Sequence, residues 1–194
     1  MKKTLLMLAI SAIVASPSLA RADWSSDLQA AINSNNFAEI NVIAANNPND
    51  QGGIALALLT AAKNDVGSHD GTAIKLFTLA TPFADQLSPS QALPASTAIV
   101  ALVGLAGNPE LQHKDPKGAH QVFTAALTMS SDSPIATVRP GLHNFVVAAA
   151  EDFGDKYAQN DPDKKDLDDH INLALQVGSP PPLGPHGVLT PSPE

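Results

Sequence analysis

Six histidines and one dense run of carboxylates are the side chains of this chain whose types and spacing could do chemistry. Glu151, Asp152 and Asp155 crowd what the pattern predicts to be the C-terminal end of a helix, where the helix dipole disfavours negative charge by about 0.3–1 kcal/mol each. Asp161, Asp163, Asp166, Asp168 and Asp169 follow at the start of the next predicted helix. There the dipole favours them, so capping explains that second group. The first group breaks a local rule, and such violations sometimes mark function. Glu151, Asp152, Asp155, Asp161 and Asp163 are therefore the candidate oxygen ligands for a Ca²⁺ ion, a hard cation that takes six to eight oxygens. The stretch Asp161-Pro162-Asp163-Lys164-Lys165-Asp166 is not an EF-hand: it lacks the glycine and the alternation, and its lysines oppose a cation. The competing reading is a solvated acidic face.

The histidines do not assemble into a metal-binding spacing. His120 and His143 each begin a helix of one predicted antiparallel hairpin, which puts them on the order of 20 Å apart. His69 and His113 occupy equivalent loops of stacked units, and helix axes about 8–10 Å apart hold them beyond direct co-ligation. Asp166 and His170 are one helical turn apart and read as a surface pair. His186 falls in the tail. The short helical His spacing of zinc hydrolases is absent.

Catalytic motifs are equally scarce. The chain has no Cys, hence no thiolate, no disulfide and no lipobox. It has no Gly-x-Ser-x-Gly elbow. Gly52-Gly53 and Gly104-x-x-Gly107 lack the lysine and the preceding strand of a phosphate loop. Paired carboxylates of the glycosidase kind can form between any two acids that meet in space, but no aromatic subsites accompany them. The sequence leans away from an enzyme and calls for no cofactor beyond the Ca²⁺ reading.

The elements that must position these residues begin with an address. Lys2 and Lys3 precede the apolar run Thr4–Ala15, Pro17 breaks it, and small residues follow. This is the pattern of a secretory signal peptide, with cleavage expected after Ala22 in preference to Ala20. A membrane anchor needs about 20 apolar residues, more than this run supplies. The expected location is the periplasm or the extracellular space, with no stable membrane insertion after cleavage. Removing residues 1–22 of the 194 leaves 172, enough for one domain with a real core. It also removes Lys2, Lys3 and Arg21, taking the formal charge from −8 to −11. Such a surface repels phosphate backbones, which excludes nucleic acid as a partner.

A period organises what remains. Pro48, Pro94 and Pro140 recur every 46 residues. Each stands a few residues ahead of an apolar run: Ile54–Leu59, Ile99–Val103 and Phe145–Ala150. The same offset relates Ala73–Ala80 to Ala119–Ala126 and Asp115-Pro116 to Asp161-Pro162. Each unit reads as a helical hairpin: an amphipathic segment A, then a segment B that opens near proline and is apolar on all sides, predicting burial on all sides. The units span about Asp27–Asn64, Thr72–Gly107 and Lys117–Gly154, with a half unit at Pro162–Val177 whose apolar stripe is Leu167, Ile171 and Ala174. Asn33-Ser34-Asn35-Asn36 predicts a break in the first A segment. The period is similar to that of HEAT and armadillo repeats in length and hairpin pattern only.

The expected fold is therefore all-α: helical-hairpin repeats stacked as a short α-solenoid or a compact bundle, over residues 23–177. The tail 178–194 is proline-rich and expected to be disordered, either inert or a docking strap. The abundance of Ala and the single Trp and Tyr suit close helix packing and disfavour a carbohydrate face. The function that follows is an exported binding or scaffold protein with a protein or peptide partner, and exposed Phe83, Leu87 or Leu111 would line its groove. The alternatives are a small envelope enzyme or Ca²⁺-binding protein using the Glu151–Asp169 region, and a structural or stress-related envelope protein without a specific ligand.

Overall fold

Asparagine ends the first helix where the sequence predicts. Helix α1 (Trp24–Asn33) stops, Asn35 takes a left-handed φ of 54°, and Asn36 caps α2 (Phe37–Asn46) by accepting a hydrogen bond from the Glu39 amide at 3.3 Å. Asn tolerates that conformation because its short polar side chain bonds locally. The computed structural model describes residues 24–156 and 162–178. The expected signal peptide, Asp161 and the tail beyond Gly178 lie outside the described residues.

The chain continues with α3 (Gln51–Asp65), α4 (Asp70–Ala80), a 3₁₀ segment (Thr81–Gln86), α5 (Pro89–Ala106) and α6 (Pro109–Lys114). Then come α7 (Pro116–Ser131), α8 (Ser133–Val138), α9 (Leu142–Gly154) and α10 (Pro162–Gly178). The described residues hold no strand, so the protein is all-α. Local chemistry sets the starts. Ser88 and Gln91 form a reciprocal capping box at α5 with Pro89 in its first turn. Asp115 accepts from the Gly118 amide at 2.9 Å to start α7, again ahead of a proline.

Because the cap at Ser88 opens α5 early, Pro94 stands inside that helix rather than at its start. The backbone bond it forgoes falls at the exposed surface, where water replaces it. The short helices α6 and α8 and the 3₁₀ segment are connectors that the period did not anticipate.

Burial follows the segments. Helix α3 packs on α4 and α5, α5 on α7, α4 on α7, and α7 on both α9 and α10. Leu58, Leu59, Phe77, Ile99, Leu102 and Phe123 are fully buried at the centre. Helix α5 is apolar and long enough to span a membrane, yet half of it is buried inside the fold. In α10, Leu167 and Ile171 face the core as the stripe predicts. One expectation fails. The third apolar run is not buried all round: Phe145 is 47% exposed and Ala148 is exposed, while Val146, Val147 and Ala150 are buried. Among the described residues, no helix covers the outer face of α9.

Alanine cannot replace every small residue here. Gly52 is buried with its Cα against the backbone carbonyl of Gln86 in the 3₁₀ segment, and an added Cβ would overlap that carbonyl. Gly52→Ala gains helix propensity of about 1 kcal/mol but forces α3 off the 3₁₀ segment, an overpacking cost of about 1–3 kcal/mol. Net destabilisation is the expected outcome in a urea melt. Gly71→Ala, on an open surface of α4, is expected to stabilise.

Candidate functional site

The uncovered face of α9 is half of a groove. Val100, Arg139, Gly141, Leu142 and Phe145 line a cavity of about 320 Å³ between the outer face of α5 and the start of α9. Leu93, 58% exposed, lies two turns before Val100 on the same face of α5 and extends the apolar surface. Arg139 closes α8 and is the single arginine among the described residues. Its guanidinium is exposed, and no described carboxylate lies within 4 Å of it. The large apolar residues expected at a groove are elsewhere: Leu87 is buried, and Phe83 and Leu111 are half-buried against the core.

Asp132 stands at the other end of α8. Partial burial, reinforced by the like charge of the Asp85 carboxylate, pushes its pKa up to about 6. The folded protein therefore holds this proton more tightly than the unfolded chain does. The associated stability is full below the ordinary carboxylate range, falls as pH rises toward 6, and stays lost above it. Asp132→Asn removes the buried charge and keeps a capping residue. Its expected effect is a gain on the order of 1 kcal/mol at about pH 8, after allowance for solvent screening, and none at about pH 3. Thermal melts across that range read it directly.

A second concavity, of about 280 Å³, lies where α4, the 3₁₀ segment, α7 and α10 meet. From α7 come His120, Gln121, Thr124, Ala125 and Thr128, and Thr78, Thr81 and Asp166 complete it. Thr78, Thr81 and Thr128 turn their hydroxyls back to carbonyls of their own turns, so their methyl groups form the walls. The Nε2 of His120 lies 3.3 Å from Asp166 Oδ2 without hydrogen-bond alignment. Asp166 also faces His170, whose Nδ1 is 2.8 Å from the Asp166 carbonyl and 3.6 Å from the same Oδ2. The helical pair Asp166–His170 was legible from spacing. His120 was not, because it arrives from another helix.

The remaining histidines go elsewhere. His143 is buried between α7 and α9, with Nδ1 3.1 Å from Ser130 Oγ. Ser130 Oγ also donates to the Leu127 carbonyl at 3.2 Å, Ser131 Oγ lies 3.4 Å from the same Nδ1, and Ser130 is fully buried. The pair holds two helices together. His69 lies 3.7 Å from Asp65 in a cleft of about 480 Å³, lined by the exposed amides of Gln29, Asn33, Asn35 and Asn64. Those amides are open to solvent, so the cleft leaves no polar group in need of a ligand. His113 is exposed on α6.

The acidic region is neutralised in part by the chain itself. Lys156 pairs with Asp152 at 3.2 Å, and Lys164 reaches the Gly154 carbonyl at 3.2 Å and Asp168 at 3.6 Å. These ammonium groups relieve the charge at the end of α9. Glu151 and Asp155 are exposed near the end of α9, and Asp163 sits in the first turn of α10. Among the described residues, no three His, Asp or Glu side chains are placed to share a metal ion.

No family model, curated protein or solved structure matches this chain. Its own geometry has to carry the functional reading.

Proposed function

We propose that this is an exported helical binding protein that takes a segment of a partner protein in the groove between α5 and α9. The partner segment carries an acidic side chain beside an aliphatic or aromatic one. The carrying observation is Phe145, nearly half exposed, next to Arg139 with no described acidic partner, on a chain of net charge −8. Aromatic and arginine side chains dominate binding energy at protein interfaces, and an exposed apolar strip marks an interaction surface. An acidic ligand pairs with Arg139, and the acids elsewhere repel it from other faces.

The 46-residue hairpin units fit this reading. Successive A-type helices α4, α7 and α10 touch in series, as do B-type helices α3, α5 and α9. Stacking of that kind presents grooves between neighbouring units. Export rests on the Lys2–Ala22 pattern, and the same acidity disfavours nucleic acid.

Selection of a random peptide display library on the protein tests the proposal. Enriched peptides are expected to share an acidic residue adjacent to an aliphatic or aromatic one, and to disappear when selection is repeated on Phe145→Asp. Enrichment that survives this substitution would remove the groove from the function.

A further inference from the structure

The concavity between α4, α7 and α10 contains an observation that peptide binding does not use. His120 is 13% exposed, and its Nε2 and the Thr124 Oγ1 are both buried without a hydrogen-bond partner in the protein. A buried polar atom left unpaired costs about 1–3 kcal/mol, so two of them lining one cavity call for something to pair with. Asp166 adds a carboxylate oxygen 3.3 Å from that same Nε2. Around these three acceptor positions the walls are the methyl groups of Thr78, Thr81 and Thr128. A mostly apolar pocket with a few convergent polar atoms is the general form of a small-molecule site.

The ligand class follows from what the polar atoms lack. With the His120 proton on Nδ1, its Nε2 is an acceptor, and that nitrogen and the carboxylate oxygen 3.3 Å away are both satisfied by a donor that reaches both. A third N–H is required for the threonine oxygen. A primary ammonium has three N–H donors and a positive charge, and it suits the Asp166 carboxylate, since Asp168 and Asp169 already pair with Lys164 and Lys165. A divalent metal fits less well. His170 does not line the cavity, and among the described residues no three His, Asp or Glu side chains are placed to share an ion, which leaves His120 and Asp166 as the strong ligands there. We infer that this pocket binds a small aliphatic primary amine, with its ammonium among Asp166, His120 and Thr124 and its alkyl chain along the threonine methyls.

Titration of the protein with n-butylammonium chloride, followed by the imidazole nitrogen resonances of ¹⁵N-histidine, tests this. The His120 Nε2 resonance is expected to move saturably, with n-butanol and butyrate at matched concentration moving it little. Thr124→Val keeps the side-chain shape and removes the unpaired hydroxyl. It is expected to weaken amine binding about tenfold while leaving thermal stability unchanged or higher, a pairing of effects that a merely structural threonine would not give. Asp166→Asn is expected to weaken binding by at least as much, and circular dichroism verifies that α10 stays folded. The inference is overturned by a non-saturable shift, by equal responses to butanol, by Thr124→Val binding the amine as wild type does, or by Zn²⁺ moving the resonance where the amine does not.

Discussion

Phe123→Ala is expected to cost about 3–5 kcal/mol in a denaturant melt, the largest single stability loss in the fold. Phe123 is fully buried on α7 and stacks on Phe153 of α9, with ring centroids 4.9 Å apart at 31°. Truncation removes that ring contact, which adds about 0.5–1.5 kcal/mol beyond area, and opens a cavity between helices that also pack on α10 and α5. Domains of this size have about 5–15 kcal/mol in total, so the variant falls near the unfolding threshold at elevated temperature. The consequence for function is specific. Helix α7 carries His120 and Thr124, and α9 carries Phe145. A variant that folds but has lost this contact should weaken both sites together. Phe123→Leu, which fills most of the space, is expected to cost less than half as much. Equal losses for the two substitutions would show that the ring contact alone, and not the filling of the space, joins these helices, against the packing account.

Arg139→Glu is expected to lower affinity for an acidic–aliphatic peptide about 100-fold, combining loss of a favourable pair with like-charge repulsion. Phe145→Ala is expected to lower it about tenfold by removing the apolar anchor. Both side chains are exposed, so thermal stability should move by less than about 0.5 kcal/mol in either variant. Fluorescence anisotropy with a labelled selected peptide measures the first quantity and a melt the second. Reversal of the peptide charge, acidic to lysine, is expected to restore binding to Arg139→Glu in part. A charge swap that leaves affinity unchanged would show that Arg139 does not meet the ligand.

Helix positions were the most legible part of the sequence because they depend on local rules. The Asn33–Asn36 break, the buried stripe of Leu167 and Ile171, and the apolar cores of α3 and α5 all follow from capping preference and periodicity. Burial of α9 was not legible. Its apolar run resembles those of α3 and α5, but among the described residues no later helix covers its outer face, and which neighbour arrives is a tertiary matter. The same limit explains the groove residues. Phe83, Leu87 and Leu111 looked available for a ligand, yet each packs inward. Phe145, which stands in a run that reads as core, is left at the surface, and so is Leu93 ahead of the α5 run.

The His120–Asp166 approach spans 46 residues of sequence and two helices, so no local spacing rule could find it. The separation equals the period expected from the prolines. Helices α7 and α10 pack on each other, and that contact brings the two side chains together. The sequence carried that signal, but only a search for polar residues one period apart would have used it. The acidic cluster has a local electrostatic account. Glu151, Asp152 and Asp155 stood out for violating the dipole rule, and the relief at that helix end comes from Lys156 and Lys164, which pair with Asp152 and the Gly154 carbonyl.

The most direct measurement is a backbone amide chemical-shift map of the ¹⁵N-labelled protein as an acidic–aliphatic peptide from the display selection is added. The account predicts saturable shifts concentrated at Leu93, Val100, Arg139, Leu142 and Phe145, with the amides around Asn33 and His69 unchanged. Shifts centred on that larger amide-lined cleft, or spread evenly over the surface, would contradict it.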